Sequence, residues 1–491
     1  MAAPITAAML YDLVQCPHRP EMDLFADPAK RDEISPFVRL LWEKGTAFEH
    51  EVIDGLKLPM LDLSAYSGEE KERRTYEAMQ RGEPLIYSAR ITADDLLGDP
   101  DLLRREGTGY VAGDVKSGSG EEGEDDDAKL KKHYGVQLAL YTDILERRGL
   151  ASSRRPFVWD VHGREITYEL EEPQGTRNPT TIWQIYKDAL AQAQRIVAKT
   201  EKTEAAYCGA CKLCHWYTAC VAQLEAADDL TLLPELGRAK RDVMVDRIPT
   251  VADLAMTNVD GFVSKTKTVF KGIGPNTLRK LQARAKLVKT KGATPYLTAP
   301  VRLPKSETEL FFDIEVDPMR DLCYLHGFVK RLGGDNSTER YVSFFANSVS
   351  PDEEKRAFSG AWRYISDHQP CTVYYYSKYE RTIWRQLQSK YPSVCTTEEI
   401  EKLFHPTHSV DLYFDVVKEA TEWPTRDHSI KTLAKFLGFK WRDTQPSGAA
   451  SIEWFDRWIK TGDASVKQRI LDYNEDDCLA TRVLLDGIRA L

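Results

Sequence analysis

Three observations make the sequence that of a multidomain α/β protein. At roughly 150 residues per domain, a chain of 491 residues has room for about three. Two stretches, 100–117 and 309–317, each set a short apolar strand beside acidic residues, and segments of helical period follow both. Between them the chain changes character twice, first to a cysteine-dense run ending at Cys220 and then to a basic, helix-patterned stretch. The boundaries read from these changes are 1–225, 226–300 and 301–491. No run of about 18 apolar residues exists to span a bilayer, and 1–10 lacks a basic leader, so no membrane association is expected and the cytoplasm is the default compartment. The formal charge of −9 excludes a uniformly basic nucleic-acid coat, leaving local basic patches for any such contact.

The first domain is organised around Pro100 to Ser117. Two short β segments, Leu102-Leu103 and Tyr110-Val111, meet at a Gly-containing turn and place Asp101, Asp114 and Lys116 near the strand ends. By the two-residue period of a strand, Lys116 shares Asp114's face. Two hard carboxylates suit Mg²⁺ or Mn²⁺, and the ammonium would offset charge developing at phosphorus, a set fitted to phosphodiester hydrolysis. Alone, an Asp and a Lys two apart also describe a solvated surface pair. Pro100-Asp101 with Asp114-Val-Lys116, however, resembles the two halves of the PD-(D/E)XK nuclease signature. Upstream, Gly45-Thr-Ala-Phe-Glu-His50 resembles the helix that carries a metal-facing histidine in the RecB-like branch. Downstream, Gln137-Leu-Ala-Leu-Tyr141 resembles that branch's Q-x-x-x-Y helix, its polar ends four apart on one face. The resemblance implies a restriction-endonuclease-like fold, with His50, Asp101 and Asp114 as metal ligands and Lys116, Gln137 and Tyr141 as catalytic partners.

The rest of this domain reads as an acidic, solvated insert over 121–127, a helix over 130–147, a strand over 156–162 and an amphipathic helix over 180–199. Four of the nine cysteines then fall at Cys208, Cys211, Cys214 and Cys220, and Cys16 stands alone near the start. Such density in a large chain of this class points to metal or cluster ligation rather than disulfides, with zinc as the first candidate. One remote cysteine followed by Cys-x-x-Cys-x5-Cys resembles the iron–sulfur subset of RecB-like nucleases. That implies a [4Fe–4S] cluster on Cys16, Cys211, Cys214 and Cys220 that joins the two ends of the domain. Zinc and a Cys208-x-x-Cys211 chelate stay open as alternatives.

The middle stretch reads as helices separated by Pro249 and Gly261. Near its end, Phe270-Lys-Gly-Ile-Gly-Pro-Asn-Thr-Leu-Arg-Lys-Leu281 resembles a helix–hairpin–helix element, which holds phosphate on exposed backbone N–H groups. From 261 to 306 there are eleven Lys or Arg and no Asp or Glu, an electrostatic footprint for a nucleic-acid backbone. Lys271, Gly272, Gly274, Arg279 and Lys280 are the candidate DNA contacts. A basic linker with a Gly cap has the same composition.

In the last third, Glu309-Leu-Phe-Phe-Asp313-Ile-Glu315 is an apolar strand that puts two carboxylates on one face. Tyr473-Asn-Glu-Asp-Asp477 begins a helix whose Tyr473 and Asp477 are four apart and share a face. These ends resemble the DEDD 3′–5′ exonucleases of the ribonuclease H-like fold, in the variant closing on Y-x-x-x-D. The likeness implies Asp313, Glu315 and Asp477 as metal ligands and Tyr473 as the group that positions water. The middle acid departs from the pattern: Glu380 stands at the equivalent place, with Asp411 as competitor on the next strand. Ser429 to Gly438 reads as a capped helix, core on one side and basic on the other, and resembles the helix between the second and third motifs.

The full order resembles a group of RecB-like nucleases that join an iron–sulfur PD-(D/E)XK domain, a helix–hairpin–helix segment and a ribonuclease H-like domain. It implies a metal-dependent DNA nuclease, exonuclease in character, working on single strands or ends in repair or defence, with a helicase as candidate partner. A ribonuclease, or a DNA-binding adaptor with decayed sites, has the same sequence features.

Overall fold

The computed structural model describes residues 3–56, 58–122, 129–175, 179–444 and 446–491; the 123–127 part of the acidic insert lies outside them. The chain forms two units, 1–205 with 209–220, and 206–208 with 221–491. In the first, helices α1 (Ala7–Gln15), α2 (Pro36–Leu56), α3 (Lys132–Arg147) and α4 (Ile182–Val197) accompany strands β1 (Leu61–Asp62), β2 (Leu85–Tyr87), β3 (Leu102–Glu106), β4 (Gly109–Val115), β5 (Phe157–Trp159) and β6 (Glu165–Thr167). The strands make one mixed sheet in the order β6, β5, β4, β3, β2, β1. Strand β4 runs antiparallel to β3 and parallel to β5, so it is central. Every residue of β4 is buried, which explains a continuous apolar run where a half-exposed strand would alternate. Gly113 lies against the Phe157 ring, where a Cβ would collide. Helix α3 is buried almost all round from Gly135 to Leu145, because it packs against both α1 and α4 as well as the sheet.

The second unit opens with short helices α5 (Arg238–Met244) and α6 (Val251–Met256) and the longer α7 (Pro275–Lys289), sharing a core of Leu236, Met244, Ile248, Leu254, Leu278 and Leu281. A buried ion pair ties this helical stretch to Glu422, in the C-terminal part of the same unit. Arg284 Nε donates to Glu422 Oε2 at 2.7 Å, and its other arm reaches Glu235 at 2.9 Å. Then come β7 (Thr308–Asp317), β8 (Leu322–Leu332), β9 (Asp335–Phe345), α8 (Pro351–Asp367), β10 (Cys371–Tyr375), α9 (Tyr379–Lys390), β11 (Ser409–Asp411), α10 (Ile430–Phe436), α11 (Gly448–Thr461) and α12 (Ala464–Arg489). The sheet order is β9, β8, β7, β10, β11; β8 is antiparallel to both its neighbours β7 and β9, while β10 is parallel to β7 and β11 to β10. Phe312 turns to Phe328 and Trp384 on one face of β7, while Phe311 turns to the other, where Leu484, Leu485 and Ile488 of α12 pack. Asp313 and Glu315 share Phe311's face by period two, so α12 must cross them.

One sequence expectation changes here. Tyr473 does not begin a helix: Asp463 caps α12, accepting from Ser465 N–H at 2.8 Å, and the helix runs 26 residues, leaving Tyr473 in its middle. The acids around it therefore gain nothing from a helix N-terminus. Among the described residues, no helix is long and apolar enough to cross a membrane.

Candidate active sites

In the first unit the hairpin of β3 and β4 sets Asp101, just before β3, beside Asp114 near the end of β4. Asp101 N–H points to Asp114 Oδ1 at 3.4 Å, and Val115 N–H donates to Asp101 Oδ2 at 2.8 Å. Lys116 Nζ lies 2.9 Å from Asp114 Oδ2, with Asp114 only 1% exposed. Burial, then the Asp114 charge, holds the Asp101 carboxyl well above its ordinary range, against the pull of Lys116. Burial works against the Lys116 ammonium, yet Asp114 and Asp101 more than offset it and its pKa is raised. Gln137 Nε2 donates to Tyr141 Oη at 3.1 Å on α3. Tyr141 is buried close enough to Asp114 and Asp101 for both to raise its pKa further after burial. Five of the six predicted groups are thus brought together.

His50 is the exception. It is exposed on α2 and, among the described residues, makes no hydrogen bond or ion pair. Its neighbour Glu49 is the acid that α2 presents to the site: it accepts from Tyr87 Oη at 2.9 Å and adds to the field that raises Asp101. No sequence spacing marked Glu49, because the helix phase relative to the sheet is set by packing.

The cysteines occupy both ends of this unit. Cys16 follows α1, and Cys214 N–H donates to Cys211 O at 3.1 Å in a tight turn, with Cys220 N–H on Trp216 O at 2.9 Å. All four are half-buried and none is in a disulfide. Burial raises the Cys214 thiol, with Trp216 N–H and Arg19 acting in the other direction and Cys16 near enough to add to the rise. Asp23 accepts from His215 at 2.7 Å and Trp216 at 3.0 Å, fastening the cysteine segment to the N-terminal helices.

In the second unit Asp313, Glu315 and Asp477 bring ligand oxygens within 4.8 Å of one another. Glu315 is 5% and Asp477 7% exposed, and they line a cleft of about 210 Å³ with Tyr473 and Tyr379. Burial first, and Asp477 second, raises Asp313 well above the carboxylate range; Glu315 is raised by burial, Asp313 and Asp477. Asn474 Nδ2 donates to Asp313 Oδ2 at 2.7 Å, and Tyr341 Oη donates to Asn474 Oδ1 at 2.8 Å. Asn474 reaches Asp313 by packing over Gly327, the residue paired with Asp313 across the sheet, where a Cβ would overlap its side chain. Trp441 Nε1 donates to Asp477 Oδ1 at 2.7 Å, and Lys431 Nζ donates to Tyr473 Oη at 2.9 Å. Asn474, Trp441 and Lys431 escaped the sequence reading, which gave the helix of Lys431 a solvated basic face.

Geometry also separates the two candidates for the middle acid. Asp411 Oδ1 accepts from the N–H groups of Ser377, Tyr413 and Phe414, each at 3.0 Å, a turn-holding task. Among the described residues Glu380 Oε2 and Asp411 Oδ2 both lack a hydrogen-bond partner, but only Glu380 feels the cluster: burial, then Asp313, with Asp477 further on, raises its pKa, whereas the charge that raises Asp411 after burial is Asp415. The orphaned Glu380 oxygen and three clustered carboxylates fit a divalent cation, whose charge would offset their mutual repulsion.

On the helical stretch, Gly272 (φ +81°) and Gly274, the cap of α7, are exposed around the buried Ile273, as a backbone turn open to solvent requires. Lys271 is exposed. Arg279 pairs with Asp260 at 2.9 Å, and Lys280 turns inward to Lys418 O at 3.1 Å. Lys265 and Lys267, on the hairpin of Val263–Ser264 and Lys267–Thr268, are exposed and, among the described residues, in no ion pair.

Residues 20–221 match the family model of the PD-(D/E)XK nuclease superfamily, and residues 310–488 match that of the RNase H superfamily. No curated protein matches the chain. The chain thus carries a PD-(D/E)XK nuclease domain and an RNase H-like domain, both nuclease families, and is a phosphodiester-hydrolysing enzyme.

Proposed function

We propose that the protein is a DNA nuclease dependent on Mg²⁺ or Mn²⁺, with two hydrolytic sites and exonuclease action on single strands or ends, serving DNA repair or defence. The convergence of Asp313, Glu315 and Asp477 on one point, with Tyr473 beside them, carries this reading. With Glu380 they would hold the metal in the second unit, as Asp101 and Asp114 would in the first, with Glu49 as a supporting acid. When bound, the ion supplies Lewis acidity at the phosphoryl oxygen. Tyr473 orients the attacking water, and Lys116 places a positive charge where negative charge develops on the scissile phosphoryl group in the first site. Lys265, Lys267 and Lys271 give a patch suited to the phosphate backbone, which carries affinity but no sequence choice. Cys16, Cys211, Cys214 and Cys220 would hold a [4Fe–4S] cluster, with zinc as the other occupant their thiolates suit, closing the first unit rather than taking part in hydrolysis.

The test is hydrolysis of 5′- and 3′-labelled single- and double-stranded DNA with Mn²⁺ by the wild type, Asp114→Ala, Asp313→Ala and the double variant. Each single variant is expected to lose one product pattern. Wild-type protein that binds DNA yet gives no product above the double variant would overturn the proposal, and preference for RNA would reassign the substrate.

A further inference from the structure

Lys431 is badly placed for an ordinary surface lysine. It lies in the first turn of α10, whose start is fixed by Ser429 Oγ accepting from Thr432 N–H at 3.3 Å and by buried Leu433 and Ala434. A cation in that turn opposes the helix dipole. Its Nζ nevertheless lies 2.9 Å from Tyr473 Oη and 3.3 Å and 3.4 Å from the two Asp477 oxygens, over the faces of Tyr473 at 4.9 Å and Trp441 at 5.7 Å, with the side chain only 27% exposed. Lysine has donors and no acceptor, so Tyr473 Oη must accept from it. The phenol keeps one proton, which it gives on the cleft side, where the Asp477 carboxylate lies within its hydrogen-bond reach. Asp477 Oδ1 already receives Trp441 Nε1, so two fixed donors hold this carboxylate from the side.

Building on the hydrolytic reading of this site, we propose that Lys431 is a positioning residue. It fixes Tyr473 as a hydrogen-bond donor toward the cleft and locks the phenol and the Asp477 carboxylate in register, without itself contacting the scissile group. Its effect therefore runs through Tyr473. Partners of this kind, one step removed from the reacting atoms, are worth about 10–100-fold when removed.

The experiment compares K431Q, Y473F and the double variant on an Asp114→Asn background, which silences the first site. Thymidine 5′-p-nitrophenyl phosphate and a labelled single strand serve as probes with Mn²⁺, and Mn²⁺ affinity is read separately by electron paramagnetic resonance. Expected is a fall in kcat of about 10–100-fold for K431Q with KM within about twofold, and a double variant within about threefold of Y473F. Mn²⁺ affinity should be kept or tightened, since a cation beside Asp477 has been removed. Full turnover by K431Q, losses that multiply in the double variant, or Mn²⁺ binding lost along with turnover would each overturn the proposal. If K431Q does not fold, K431M, which keeps the apolar stem, takes its place under the same criteria. An Asp313→Asn control separates the two levels: if it leaves turnover intact, the hydrolytic reading of the site fails, whereas an inactive control beside a fully active K431Q removes only the role of Lys431.

Discussion

Neutralising Asp313 should make the metal-free protein more stable while disabling its second site. At the 4.8 Å limit separating the oxygens of Asp313, Glu315 and Asp477, two carboxylate charges repel by about 3 kcal/mol at an effective dielectric of about 20. Proton uptake already relieves part of this, so Asp313→Asn is worth about 1–3 kcal/mol, a rise in Tm of roughly 2–5 °C for a unit of this size. The amide oxygen can still accept from Asn474, and the new amide N–H group has the Glu315 and Asp477 carboxylates beside it as acceptors. Because burial and Asp477 raise the pKa of Asp313, the folded state keeps a proton that the unfolded chain releases above about pH 4. This carboxyl's contribution therefore becomes more unfavourable as pH rises, and the advantage of the amide should grow from about pH 5 to pH 8. Mn²⁺ at about 100 times its Kd should return about 2.7 kcal/mol to the parent and little to the variant. Calorimetric melting of the parent and Asp313→Asn on an Asp114→Asn background, in EDTA and in Mn²⁺, reads both effects. A variant that melts below its parent in EDTA, or equal Mn²⁺ shifts in the two proteins, would refute the electrostatic account of the site.

Lys116→Met should cost about 2–4 kcal/mol in urea unfolding, because it strands the Asp114 carboxylate at 1% exposure, and Asp114→Asn added to it should recover part of the loss. An unchanged unfolding midpoint would mean that the pair is not buried as described. Lys265→Glu, Lys267→Glu and Lys271→Glu together should weaken binding to labelled DNA and lower the salt slope of log K by roughly 2–3, with Tm within about 2 °C of the parent; a slope equal to the parent's would move the nucleic-acid contact elsewhere. Protein purified anaerobically should be brown with absorbance near 400 nm, a band lost in Cys214→Ser. Colourless protein carrying stoichiometric zinc would replace the cluster with a zinc site.

The comparison of Asp114 with His50 shows where sequence reading holds. Asp101, Asp114 and Lys116 sit on one hairpin, and the period of a strand dictates their common face whatever surrounds them. Asp313 with Glu315, and Tyr473 with Asp477, obey the same local rule on a strand and a helix. His50 and Glu49 are adjacent on α2, and a helix turns about 100° per residue, so the choice between them depends on how α2 rolls against the sheet. Lys431 posed the same problem. It flanks the apolar positions of α10, where sequence allows solvent, and only the approach of α12 converts that flank into part of a cleft.

The order of the motifs, the residue types suited to divalent ions and the pairs of acids on single strands or helices were determined by the sequence alone, because each depends on backbone periodicities that act over a few residues. Which acids meet, which lysines stay open to solvent and which donors steady Tyr473 and Asp477 were decided only by tertiary structure. Those outcomes depend on the packing of elements distant in sequence, where burial and the low dielectric fix the strength of every charge.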